Sequence, residues 1–99
     1  MRRREVRLAP SAEDDLYNSY LWLTERAGRT VAERYIRRLE AFCSKLELGA
    51  ECGTLRDDLR AGLRMIGFER RVAIAFTTTG DEVIVLRIVY GGQDWEQAF

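Results

Sequence analysis

Residues 82–90 read EVIVLRIVY, and from Val83 to Tyr90 the only charged position is Arg87. An extended segment that is apolar on both sides is a strand with neighbours, lying inside a sheet rather than at its rim. Just before it, TTTGDE at 77–82 supplies turn residues. Before that turn, Val72, Ile74 and Phe76 alternate with Arg71, Ala73 and Ala75. Residues 62–68 alternate too, with Leu63 and Met65 on one side and Arg64 and Ile66 on the other. Three consecutive strands with short connections form an antiparallel meander.

Upstream the apolar period changes. Val6 and Leu8 alternate with Glu5 and Arg7 in a short strand, which Pro10 and Ser11 end. Ser11 is placed as an N-cap, with Glu13, Asp14 and Asp15 complementing the positive end of a helix dipole. The spacing predicts a helix over 12–27, ended by Gly28, with a stripe of Ala12, Leu16, Tyr20, Leu23 and Ala27 widened by Tyr17 and Leu21. Trp22 falls at the edge of that stripe. Thr30 is placed as the cap of a second helix reaching Gly49, whose stripe is Ala32, Tyr35, Ile36, Leu39, Phe42, Cys43 and Leu46. Its other side carries Glu33, Arg34, Arg37, Arg38, Glu40, Lys45 and Glu47, read as a solvated face in which Glu33 stands one turn before Arg37, with a partner contact as the alternative for the cluster Arg34, Arg37 and Arg38. Residues 49–61 read as loop.

The expected fold is α+β in a single domain over 1–99, with element order β-α-α-β-β-β. An antiparallel helix hairpin packs on one face of a mainly antiparallel sheet. If Ile84, Leu86 and Ile88 join Val72, Ile74 and Phe76 beneath the hairpin, alternation sends Arg71, Ala73, Ala75, Val83, Val85, Arg87 and Val89 to the other face. No helix is left to cover that face, so an apolar floor edged by Arg64, Arg71 and Arg87 is expected to receive a partner, unless the loop 49–61 or the tail 93–99 folds over it. The alternative for the three arginines is pairing with Asp57, Asp58 or Glu69. Trp95, near the carboxyl terminus, either docks on the core or joins the partner surface.

Composition narrows the chemistry. Sixteen Lys and Arg balance sixteen Asp and Glu among 99 residues, so the net charge is zero and binding to nucleic acid would need a local basic patch. There is no histidine, which removes imidazole-dependent triads and His-containing zinc sites. Cys43 and Cys52 are too few for a disulfide framework and read as free thiols, which suits a reducing cytoplasm. The N-terminal MRRREVRLAP has no apolar run behind its charge, and no stretch is long enough to span a membrane. No metal site, cofactor or membrane association is expected.

Five segments carry a resemblance: LAPSAEDDL, LTERAG, RTVAERYIRRLEAF, LRAGLRMI and IVYGGQDWE. In order, spacing and total length the chain resembles the ParE branch of the RelE/ParE toxin superfamily. The resemblance implies a bacterial type II toxin that poisons DNA gyrase and is neutralised by a ParD-type antitoxin in a heterotetramer, touching DNA only through the antitoxin. RelE-like relatives instead cut mRNA on the ribosome with several Lys and Arg side chains and a carboxy-terminal Tyr. Arg71 falls where such nucleases hold phosphate, and Arg64 lies near their basic pair. After the last strand, however, this chain reads GGQDWEQAF, where Asp94 and Glu96 repel phosphate and Phe99 has no proton to give. The expectation is therefore a non-catalytic gyrase inhibitor without catalytic residues, with antitoxin or target contacts at Arg64, Arg71, Ala73, Ala75, Val85, Arg87 and Trp95. A helix of the antitoxin, disordered when free, is expected on the bare sheet face and hairpin. The alternatives are a RelE-like nuclease and an antitoxin-binding module without toxicity.

Overall fold

A computed structural model describes residues 3–69 and 71–90. The elements are β1 (Glu5–Leu8), α1 (Pro10–Ala27), α2 (Arg29–Ser44), α3 (Leu46–Gly49), β2 (Thr54–Leu55), β3 (Arg64–Phe68), β4 (Val72–Thr78) and β5 (Glu82–Tyr90).

Proline decides where α1 begins. Its ring presets a helical φ and it has no N–H to leave unpaired, so Pro10 takes the first helical position. The extended Ala9 is the N-cap, and its carbonyl accepts from the N–H groups of Ala12 and Glu13. Ser11 is thus inside the helix and is not its cap. Gly28 forms the whole connection to α2. At φ 92° it occupies backbone space that glycine enters without strain, its N–H donates to Thr24 O at 3.1 Å, and its carbonyl accepts from Ala32 N–H at 3.1 Å. Thr30 therefore also lies within a helix rather than capping one. α2 stops at Ser44, short of the expected Gly49, and the chain restarts as the four-residue α3.

The sheet order is β1-β5-β4-β3-β2, with β1 parallel to β5 and every other pair antiparallel. β2 lies in the segment expected to be loop. The core beneath the helices gathers Ala12, Leu39, Cys43 and Leu46 from the helical side with Phe68, Val72, Ile74 and Phe76 from the sheet. Phe76, Leu39 and Ile74 are completely buried, each contributing roughly 1.5–3 kcal/mol by removal of apolar surface from water.

A bulge in β5 overturns the expected assignment of its faces. Ala75 pairs with Arg87 while the next residue, Phe76, pairs with Val85, so Leu86 has no opposite number. One extra residue reverses the alternation. Before the bulge, Val83 and Val85 face the helices together with Val6 and Leu8; after it, Ile88 does. Of the three β5 residues expected under the hairpin, only Ile88 is there. Leu86 packs on the opposite face.

That opposite face is not a bare floor. Leu63, Met65 and Ala75 are buried in a second cluster, against which Leu59, Ala73 and Leu86 pack. The cover is the turn that returns through Arg56 and Leu63, closed by Arg56 N–H to Leu63 O at 2.7 Å and by Leu63 N–H to Arg60 O at 3.0 Å. Gly53, at φ 75°, lets this segment run against β3, where a Cβ would collide with the Met65 carbonyl oxygen. The segment 49–61 thus folds over this face, the alternative to a bare floor.

Candidate partner-binding surface

The residues expected to bind a partner do not form one surface. Val85 is 0% exposed beneath the hairpin and Ala75 is 0% exposed beneath the 56–62 turn, so neither presents a side chain outward. Ala73 is half-buried beside the second cluster. Arg64 pairs across to Phe76 and therefore belongs to the helix-side face, where its Nη1 donates to Cys52 O at 3.4 Å. Arg71 is exposed at the β3–β4 turn, and no described residue pairs with its guanidinium. Trp95 lies outside the described residues. The carboxylates proposed for the arginines are otherwise engaged: Asp58 with Arg56, Glu69 with Arg38, and Asp57 with the Gly62 N–H.

Arg87 finds a partner that sequence distance concealed. Asp15, in the second turn of α1, accepts from Arg87 Nε at 2.8 Å and from Nη2 at 3.0 Å in a two-pronged pair. The same carboxylate accepts from the Ile88 N–H at 2.8 Å. The position explains the need. β1 pairs with β5 only as far as Leu8 and Val85, after which the chain turns into α1. Asp15 thus supplies the acceptor that a longer β1 would have offered to β5. Hydrogen bonding to Asp15 holds the Arg87 guanidinium further above its ordinary pKa.

Where β1 ends, a groove opens between α1 and the second half of β5. Asp15, Asn18, Ser19, Trp22, Leu23, Ile88 and Tyr90 line it, enclosing about 340 Å³. One wall is aromatic, with the Trp22 and Tyr90 rings 5.3 Å apart at 52°. The Arg26 guanidinium lies 4.5 Å from the Trp22 ring centre, which holds the indole in place. Trp22 is nevertheless 39% exposed, and Tyr17 and Leu21 on the same helix are 63% and 42% exposed. Much of the apolar stripe expected to be buried on α1 therefore faces solvent. In sequence, the edge position of Trp22 was the available hint of this surface; the groove itself depends on β1 being short.

Two neutral groups are shifted by burial. The Cys43 thiol is pushed up to about 11, chiefly by desolvation and further by Glu40, so it is a packing group and not a nucleophile. The Tyr35 hydroxyl is pushed up to about 12 by desolvation, then by Tyr90 and Glu69, and has no hydrogen-bond partner among the described residues. No cluster of ligating side chains able to hold a metal ion occurs among the described residues, and no helix there is long and apolar enough to cross a membrane.

A helix hairpin over a mainly antiparallel sheet, with exposed aromatic side chains along its first helix, defines a small α+β fold. The sequence matches the family described as ParE toxin of type II toxin-antitoxin system, parDE, over residues 6–95. The chain belongs to the ParE toxin family. Among solved structures, one described as the chromosomal ParDE TA system from P. aeruginosa is similar, with a TM-score of 0.79 and 19% sequence identity over 90% of this chain and 97% of that one. At that identity the likeness establishes a shared fold. No individual curated protein matches.

Proposed function

We propose that this ParE-family chain poisons DNA gyrase by binding rather than by catalysis, and that a ParD-type antitoxin neutralises it in a heterotetramer. The observation that carries the reading is the match to the ParE toxin family along almost the whole chain. The carboxy-terminal sequence supports inhibition over RNA cleavage, since Asp94 and Glu96 repel phosphate and Phe99 has no proton to give. Arg87 is committed to Asp15 in a two-pronged pair and cannot hold phosphate without giving it up, whereas Arg64 and Arg71 have no carboxylate partner among the described residues.

The antitoxin contact moves from the sheet floor to the groove beside α1. An amphipathic segment fits a cleft that offers aromatic surface on one side and polar groups on the other. Trp22, exposed yet held by Arg26, is the natural anchor, since ordered aromatic side chains dominate binding energy at interfaces.

The test combines two assays with purified protein. Gyrase supercoiling should be blocked and then restored by antitoxin, and ribosome-dependent mRNA cleavage should be absent. Codon-dependent cutting with unaffected gyrase would establish the nuclease instead, and normal growth on induction without antitoxin would establish a non-toxic module. Trp22→Ala should weaken antitoxin binding by roughly tenfold or more while supercoiling stays blocked. An unchanged affinity would remove the groove from the antitoxin interface.

A further inference from the structure

Glutamates that interrupt the basic residues of α2 in sequence do not interrupt them in space. Arg34, Arg37, Arg38, Ala41 and Lys45 stand at i, i+3, i+4, i+7 and i+11, so they form one exposed row on the side away from Ala32, Leu39 and Cys43. Glu33 and Glu40, seven residues apart, form a separate row along the flank. Arg38 is held by Glu69 at 2.9 and 3.2 Å. Among the described residues no carboxylate pairs with Arg34, Arg37 or Lys45. The Glu69 contact also brings the β3–β4 turn alongside, and with it the exposed and unpaired Arg71. On α1 the balance is reversed: Glu13, Asp14 and Glu25 are exposed there. A chain of zero net charge thus presents a basic helix beside an acidic one.

We infer that the outer row of α2 is a phosphate-binding surface whose partner is the backbone of duplex DNA, contacted by this chain directly. Three features select that partner. The row is rich in arginine, whose planar fork matches phosphate oxygens. Its members run for roughly 16 Å along α2 and its C-terminal cap Lys45, with Arg34 and Arg37 about one turn apart and Lys45 about two turns further on. It contains no aromatic side chain, and its apolar members are Ala41 and, one turn before Arg34, the half-exposed Val31, whereas protein partners seat on larger apolar or aromatic anchors and single strands stack on aromatic platforms. Backbone contact with duplex DNA needs neither. It is the local basic patch that a chain without net charge must have in order to bind nucleic acid at all. The inference is independent of whether gyrase is the target.

The experiment follows a short fluorescein-labelled DNA duplex of random sequence by anisotropy as the full chain is added over a range of salt. With three unpaired cations on the row, affinity should fall roughly 40-fold between about 50 and 200 mM salt, a log–log slope near −2.7. Combined substitution Arg34→Gln, Arg37→Gln and Lys45→Gln should nearly abolish that slope, with an unchanged circular dichroism spectrum and melting curve. Arg7→Gln, at the far edge of the sheet, should bind as the wild type does. Glu33→Gln with Glu40→Gln should bind more tightly, a second measurement that does not depend on the triple variant. Salt-independent binding by the wild type, or an unchanged slope in the triple variant, would overturn the inference. So would a triple variant that loses only binding to a polyglutamate peptide, because the partner would then be an acidic polypeptide.

Discussion

The two halves of β5 are held by different means. Over Glu82–Val85 the strand has β1 on one side and β4 on the other, and Val83 and Val85 are completely buried beneath the helices. Past the Leu86 bulge, β4 continues but β1 has ended, and a single carboxylate from α1 takes the Arg87 guanidinium and the Ile88 N–H. The first half is fastened by packing and by ladders on both edges, the second by buried Ile88 and Val89, a ladder on the β4 edge alone and, on the other edge, an ion pair at the wall of an open groove. What differs is the length of one short strand. A longer β1 would have filled the space in which Trp22 and Tyr90 now meet.

The largest expected effect lies in the first half. Phe76 is completely buried opposite Val85, and Phe76→Ala should lower unfolding free energy in urea by about 3–5 kcal/mol. In the second half, Asp15→Ala leaves a half-buried guanidinium and a backbone N–H without their acceptor. It should cost about 2 kcal/mol, discounted for the partial exposure of Arg87. Asp15→Asn, which keeps an acceptor for Ile88 N–H, should cost about half as much. If Asp15→Ala proved as damaging as Phe76→Ala, the distinction between the two halves would fail.

Alkaline titration sharpens the same contrast, because it acts on the helix-side core and spares the ion pair. Cys43 and Tyr35 have folded values of about 11 and about 12, above their ordinary 9.0 and 10.0. Each neutral form is favoured by the fold, so the associated stability is complete below pH 9 and is lost as pH rises through 11 and 12. The denaturation midpoint should be level from neutral pH to about 9 and fall above it. Cys43→Ala and Tyr35→Phe together should flatten that fall. Tyr35→Phe alone should leave stability at neutral pH unchanged or raised by up to about 1 kcal/mol, since it removes a buried hydroxyl without a partner. The smallest effect belongs to Arg7, whose exposed pair with Glu82 spans 3.2 Å across β1 and β5. Arg7→Gln should stay within about 0.5 kcal/mol of wild type.

Much of the fold was legible because it is written in local periods. The stripe expected on the second helix is reproduced by burial of Ala32, Leu39 and Cys43 on α2 and of Leu46 on α3, and Glu82–Tyr90 is a strand with neighbours on both sides of its first half. Element ends differ from the sequence expectation where backbone chemistry outweighs side-chain capping: Pro10 and Gly28, rather than Ser11 and Thr30, set the helix starts. The candidate site was far less legible. Arg64, Arg71 and Arg87 share a residue type and nothing else, and the pairing of Arg87 with Asp15 spans 72 residues of sequence. Leu59 and Leu63 looked like loop residues because their apolar contacts, Met65 and Ala75, depend on how the turn folds back over the sheet.

What this amino-acid sequence determined alone was the identity of its longer elements, two helices and four strands, since helical and extended periods are each decided within a few residues. Tertiary structure decided which side of each element has a role. The bulge at Leu86 sets which β5 residues are buried, and the end of β1 opens the groove. The reason is physical. Register, strand length and facing are properties of pairs of segments, and their energies arise only when distant parts of the chain meet.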